Sequence, residues 1–172
     1  MLELWHGPTA SFKDISLSLL PYLLGASKKK LGITDDTLLL VATSGDTGKS
    51  ALEAFKDVEG VHVAVFYPAK GVSELQRLQM VTQEGANVSV FGIKGNFDDA
   101  QSAIKRILND EEVADELKNL GVSLSVANSI NWGRLAPQIV YYFSAYCDLV
   151  VSEEIELGEK INFVVPTGNF GN

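Results

Sequence analysis

The chain has 172 residues, 46% hydrophobic and 21% charged, with a net charge of −8. This is the composition of a folded globular protein of one to one and a half domains, and its acidic balance argues against nucleic acid or an anionic membrane as partner, since both want a basic face. Cys147 is the single cysteine, and His6 and His62, the two histidines, lack ligand spacing; a disulfide framework and a metal site are therefore not expected, and a reducing compartment, the cytoplasm, fits best.

In chain order, residues 14–31 read as a helix that Pro21 should kink or split in two, and the Lys28-Lys29-Lys30 run near its end reads as a solvated helix end. Short apolar runs at 37–42, 61–67 and 87–92 predict strands. Residues 97–108 place Phe97, Ala100, Ile104 and Ile107 on one helical face, and the acid-rich stretch at 109–119 reads as a solvated helix. A further strand is expected at 122–126. Residues 132–150 set Leu135, Ile139, Tyr142, Phe143 and Tyr146 at helical spacing, and 161–165 completes the strand set. The strands are rich in Val, Leu and Phe and mostly do not alternate with polar residues, the pattern of strands covered on both faces. The fold class expected is α/β, a doubly wound, mainly parallel sheet flanked by helices.

The turn after the first strand, "LLLVATSGDTGKS" (38–50), ends on Gly-Lys-Ser and invites comparison with a nucleotide-phosphate loop. That loop needs Gly-x-x-x-x-Gly-Lys-Ser/Thr so that enough backbone N–H groups curl around the phosphates. Thr43 stands where the first glycine belongs, and Gly45 comes two residues too late. An ATP site is disfavoured, and Lys49 reads as an ordinary helix-start lysine. The chain closes on "INFVVPTGNFGN", a strand pattern feeding a glycine-rich turn of the kind that normally opens an anion-binding helix. With no helix after it, the chain is expected to be a fragment.

Taken together and in order, "HGPTASFKD" (6–14), "TSGDTG" (43–48), "NSINWGR" (128–134) and "PTGNFGN" (166–172) resemble the threonine synthase family, pyridoxal-phosphate enzymes of the β-family (fold type II). The resemblance covers essentially the whole chain. It implies that Lys13 carries the cofactor and serves as the catalytic base, because an aldehyde needs an amine to condense with; its place at a helix start, facing the positive end of the dipole, helps free that amine. It also implies that Gly168, Asn169, Phe170, Gly171 and Asn172 grip the cofactor phosphate, with glycines that let backbone N–H groups converge. By the same resemblance Asp46 faces the cofactor's 3′-oxygen, and Ser44, Gly45 and Thr47 meet the substrate amino acid. Asn128, Ser129 and Arg134 supply amide, hydroxyl and guanidinium donors matched to a phosphate monoester. Asn131 is placed to cap the following helix or to touch the ligand, capping being expected. His6 and Trp5 receive no chemistry, and Tyr141, Tyr142 and Tyr146 read as core and interface residues.

The activity so implied converts O-phospho-L-homoserine and water to L-threonine and phosphate. Two alternatives stay open: a threonine-synthase-like phospholyase, and a non-catalytic fragment. The expected organisation is an entry segment (1–36) of a larger domain, a small α/β domain (37–130) around the Ser-Gly-Asp-Thr-Gly loop, and a return into the larger domain (131–172). The isolated chain is expected to bind pyridoxal phosphate weakly, to show no turnover and to self-associate.

Overall fold

Parallel strands need long crossovers, and the helical segments between the apolar runs supply them. The structure is a computed structural model that describes residues 1–127 and 131–165. Its strands β1 (Asp36–Ala42), β2 (Val61–Pro68), β3 (Val88–Ile93) and β4 (Val122–Val126) form one sheet in the order β3-β2-β1-β4. Every pairing is parallel: Leu39 stands opposite Val63, Val65 opposite Val90, and Leu40 opposite Val126. This is the expected α/β class.

The connecting helices are α1 (Asp14–Leu31), α2 (Asp46–Phe55), α3 (Glu74–Val81), α4 (Phe97–Leu108) and α5 (Glu111–Asn119). Local chemistry sets several of their starts. Ser73 and Gln76 form a reciprocal capping box on α3, Asn96 and Asp99 do the same on α4, and the Asp110 carboxylate accepts from the first N–H groups of α5. The core lies on one face of the sheet, where Leu39, Val41, Val63 and Val65 pack against Leu52 and Phe55 of α2, Met80 of α3 and Leu17 of α1. Each such side chain contributes about 1.5–3 kcal/mol by leaving water.

Four features depart from the sequence expectations. The second face of the sheet is only partly covered: Ala100 and Ile104 of α4 are buried, yet His62 is exposed and Phe91, stacked on Phe66 at 5.2 Å, is 48% exposed. Residues 161–165 form no strand; Phe163 instead meets the Tyr142 ring edge-on at 4.9 Å, and Val164 is 92% exposed. A β-prone run becomes a strand only where a neighbour offers it a ladder. The single helix expected over 132–150 is α6 (Trp132–Leu135), a 3₁₀ turn (Ala136–Ile139) and α7 (Val140–Val151), because Pro137 has no N–H to give and its ring crowds the preceding turn. Pro21, by contrast, does not split α1, which runs unbroken with Leu17, Leu20 and Pro21 buried.

Gly48 sets how closely α2 lies on the sheet. A Cβ there would stand 2.6 Å from Thr43 Cγ2, 2.7 Å from Met80 Sδ and 3.0 Å from Val65 Cγ1. Gly48→Ala is therefore expected to destabilise the fold by about 1–3 kcal/mol through overpacking, read as a lowered midpoint in urea unfolding; an unchanged midpoint would mean that α2 can lift without cost.

Candidate active site

The order β3-β2-β1-β4 reverses direction at β1: the chain moves outward through β2 and β3, then returns to place β4 on the other side. Ligands of open α/β sheets bind at such a reversal, beyond the carboxyl ends of the strands. Here the turn after β1 and the chain after β4 meet the loop that precedes α1.

That loop is pinned from below by Asp14, whose carboxylate accepts from Thr9 N at 2.9 Å, Ser11 N at 3.3 Å and the Thr9 hydroxyl. The Thr9 proton goes to Asp14, so Ser50 of α2 donates to Thr9 Oγ1 at 2.7 Å and ties the loop to the helix. Gly7 is required, since a Cβ would lie 2.4 Å from Asp14 Oδ2. From the other side, the Tyr141 hydroxyl donates to the Phe12 carbonyl, and Ser16 Oγ sits 3.0 Å from both the Lys13 carbonyl and Gln138 Oε1. Burial, helped by the charge of Asp14, pushes the Tyr141 hydroxyl up to about 12, so it remains a donor.

Held this way, Lys13 is the N-cap residue of α1 and only 8% exposed. Its Nζ lies 2.6 Å from Asp46 Oδ2 and 4.3 Å from the centre of the Phe12 ring. Ser11 donates to the same Asp46 oxygen at 2.9 Å. Burial drives the Lys13 pKa below the ordinary 10.5; the hydrogen bond and charge of Asp46 oppose that, and the Arg134 charge adds to it. Burial alone would raise Asp46, but Lys13, with the Ser11 hydroxyl and the residue's own N–H, outweighs it and holds the carboxyl below 3.8.

Arg134 of α6 is 3% exposed, so it is no surface arginine. Its Nη1 donates to the Ala127 carbonyl at 3.2 Å, while its Nε has no hydrogen-bond partner among the described residues. A buried guanidinium N–H without an acceptor fits a site that receives an anion. In the β1–α2 turn Ser44 is exposed, Gly45 buried and Thr47 half-buried. The Thr43 hydroxyl accepts from Gly45 N and Gly48 N at 3.0 Å each, and Lys49 turns away to Glu53 at 2.9 Å and to Gln83. The turn is not built as a nucleotide-phosphate cradle. Asn131 occupies the N-cap position of α6 but makes no side-chain cap; its Nδ2 donates to the Val126 carbonyl at 2.9 Å, which corrects the expected capping role. His6 is exposed and pairs with Glu3 at 2.7 Å. Asn128, Ser129, Gly168, Asn169, Phe170, Gly171 and Asn172 lie outside the described residues.

The structure thus brings Lys13, Asp46 and Arg134 together. Sequence reasoning missed Thr9, Ser11, Asp14 and Ser50 around them; the only available signal was the density of hydroxyls beside an aspartate in "PTASFKD".

Residues 2–172 match the family model described as "Pyridoxal-phosphate dependent enzyme". The chain belongs to this family. It is 44% identical over its whole length to Threonine synthase-like 1 of Homo sapiens, of which it covers 24%, and 42% identical to Threonine synthase of Pseudomonas aeruginosa, of which it covers 34%. Among solved structures, PLP-bound threonine synthase from Brucella melitensis superposes with a TM-score of 0.81 at 40% identity, over 99% of this chain and 34% of that one. The chain therefore spans a quarter to a third of the length of these relatives. The family cofactor is pyridoxal phosphate, and the buried Lys13 amine, held beside a carboxylate, is the group that fits its aldehyde.

Because Asp46 is what raises the Lys13 pKa against burial, Asp46→Asn should remove that charge and lower the Lys13 pKa further. Competitive acetylation across pH, read by mass spectrometry at Lys13, should then show a free amine at lower pH than in the parent. A shift upward would mean that the substitution has let water in.

Proposed function

We propose that this chain is the lysine-bearing portion of a threonine synthase, in which O-phospho-L-homoserine and water become L-threonine and phosphate. The observation that carries this reading is the buried Lys13 amine, paired with Asp46 and facing Arg134. When bound, pyridoxal phosphate supplies an aldehyde for that amine and a ring that accepts the electron pair left at the substrate α-carbon. Lys13, its pKa lowered by burial, takes and returns the proton at that carbon. Asp46 stands beside the amine and holds its position. Ser44, Gly45 and Thr47 line the turn against which the substrate amino acid is oriented, and Gly168–Asn172 are assigned to the cofactor phosphate. Arg134, with Asn128 and Ser129, receives the departing phosphate, a task of stabilising developing charge. In this reading residues 37–130 are a small domain, and 1–36 and 131–172 belong to a larger one. Cys147, the single cysteine, supports a reducing, cytoplasmic setting.

A second reading, a threonine-synthase-like phospholyase that releases phosphate without making threonine, stays open beside it, since the chain is as similar to a protein named Threonine synthase-like 1 as to a threonine synthase. Product analysis divides the two: threonine supports the first, and 2-oxobutyrate the second.

Borohydride reduction of the cofactor-loaded, natural full-length polypeptide, followed by peptide mapping, should place pyridoxyl on Lys13. Label on Lys49, or none, would sink the assignment.

Arg134→Lys keeps the charge but loses the planar fork, so the KM for the phosphorylated substrate should rise about 10- to 100-fold with cofactor content intact. Loss of cofactor with an unchanged KM would move Arg134 to the cofactor phosphate instead.

A further inference from the structure

A protonated lysine has three N–H donors and a full charge to settle. Among the described residues, the hydrogen bond of Lys13 Nζ runs to Asp46 Oδ2, at 2.6 Å. The Lys13 side chain is 10% exposed and that of Asp46 is 49% exposed, so water reaches the carboxylate far more than the amine. A counter-charge that shares its field with water attracts less strongly than a dry one. The other charges facing the amine divide: Asp14 of α1 favours the cation, while Arg134 of α6 opposes it.

What else lies against the amine is a ring. Lys13 Nζ stands over the face of Phe12, 4.3 Å from its centre. That face carries the negative part of the ring's quadrupole, and it attracts a cation most where water is scarce. Phe12 is half-buried, its carbonyl accepts from the Tyr141 hydroxyl, and it lines a groove of about 910 Å³ with Trp5, Tyr141 and Phe163.

We propose that Phe12 is a positioning residue whose ring is the second counter-group of the Lys13 cation, Asp46 being the first. Under the function proposed above, Lys13 takes a proton at the substrate α-carbon and becomes a cation each time it does so. The ring stabilises that charged state and has no proton-binding atom of its own. A second carboxylate in its place could take the proton from the lysine; a phenyl face cannot.

The proposal rests on the reading of Lys13 as the reacting amine, and its test needs neither cofactor nor substrate. In the natural full-length polypeptide freed of pyridoxal phosphate, Phe12 is replaced by phenylalanines bearing one, two and three ring fluorines. These nearly keep the ring's shape and withdraw negative charge from its face step by step. Lys13 is then titrated by competitive acetylation across pH. Its pKa should fall with each fluorine, by about 0.5 to 1 over the series. Phe12→Tyr, which keeps the π face, should leave it in place, and Phe12→Leu should lower it. A ring that only fills space or keeps water out gives different answers. It shows no trend with fluorine, and Phe12→Leu then raises the pKa, because water favours the cation. Either result overturns the proposal, and if Phe12→Leu does not fold, the fluorinated series decides. A flat series would leave the borohydride assignment of Lys13 standing; pyridoxyl found on another lysine would leave this titration unchanged.

Discussion

An amine removed from water must either lose its proton or meet a counter-charge, and much of the geometry around Lys13 follows from that constraint. Asp46 is the counter-charge at 2.6 Å, and it comes from a different element, the first turn of α2. Loop and helix must therefore be held in register. The Asp14, Thr9 and Ser50 chain does this beneath the lysine, and Tyr141 and Gln138 do it from the far side. These contacts run to backbone groups and hydroxyls, and the one charge among them, the Asp14 carboxylate, acts on the Lys13 amine in the same direction as Asp46. By contrast, the exposed Arg77–Glu74 pair lies in solvent, where such contacts add little to stability.

The sheet supplies the rest of the placement. Asp46 can reach the lysine only because α2 starts directly beyond β1 and lies tightly on β2, an approach that Gly48 permits. Arg134 comes in from the other side of β1, anchored to the carbonyl of Ala127 just past β4. The opposing charges are thus delivered by neighbouring strands whose chains diverge at the reversal in strand order. That is the one place on such a sheet where a crevice needs no side chain to open it.

How much of this was legible depends on the signal each feature leaves. The strands of the sheet are apolar runs between turn residues, so they could be read directly, and the expected helix at 97–108 matches α4. The run at 161–165 has the same composition as a strand, but composition does not say whether a sheet edge is present to pair with it. The break at Pro137 leaves a signal in the sequence, a proline inside the run, but the helical spacing of Leu135 and Ile139 continues across it. The partly open second face escaped because Phe66 and Phe91, which read as core, stack on each other instead. In the candidate site, Lys13, Asp46 and Arg134 were singled out through motifs. Ser11, Thr9 and Ser50 were not, because a single hydroxyl has no period and its partner lies as far as 41 residues away.

The Gly-Lys-Ser ending shows why letters alone do not fix an anion site. In a nucleotide-phosphate loop the turn amides are left free to bind oxygen, and the lysine points back over them. Here the Gly45 and Gly48 amides are already taken by the Thr43 hydroxyl, and Lys49 is turned outward to Glu53. The turn has spent those donors on holding its own shape. Among the described residues, the buried group with a hydrogen bond still to make is Arg134, through Nε. A loop that looks like a phosphate cradle thus serves to aim a carboxylate at a lysine, and in the function proposed above the guanidinium across the crevice is the group that meets the substrate phosphate.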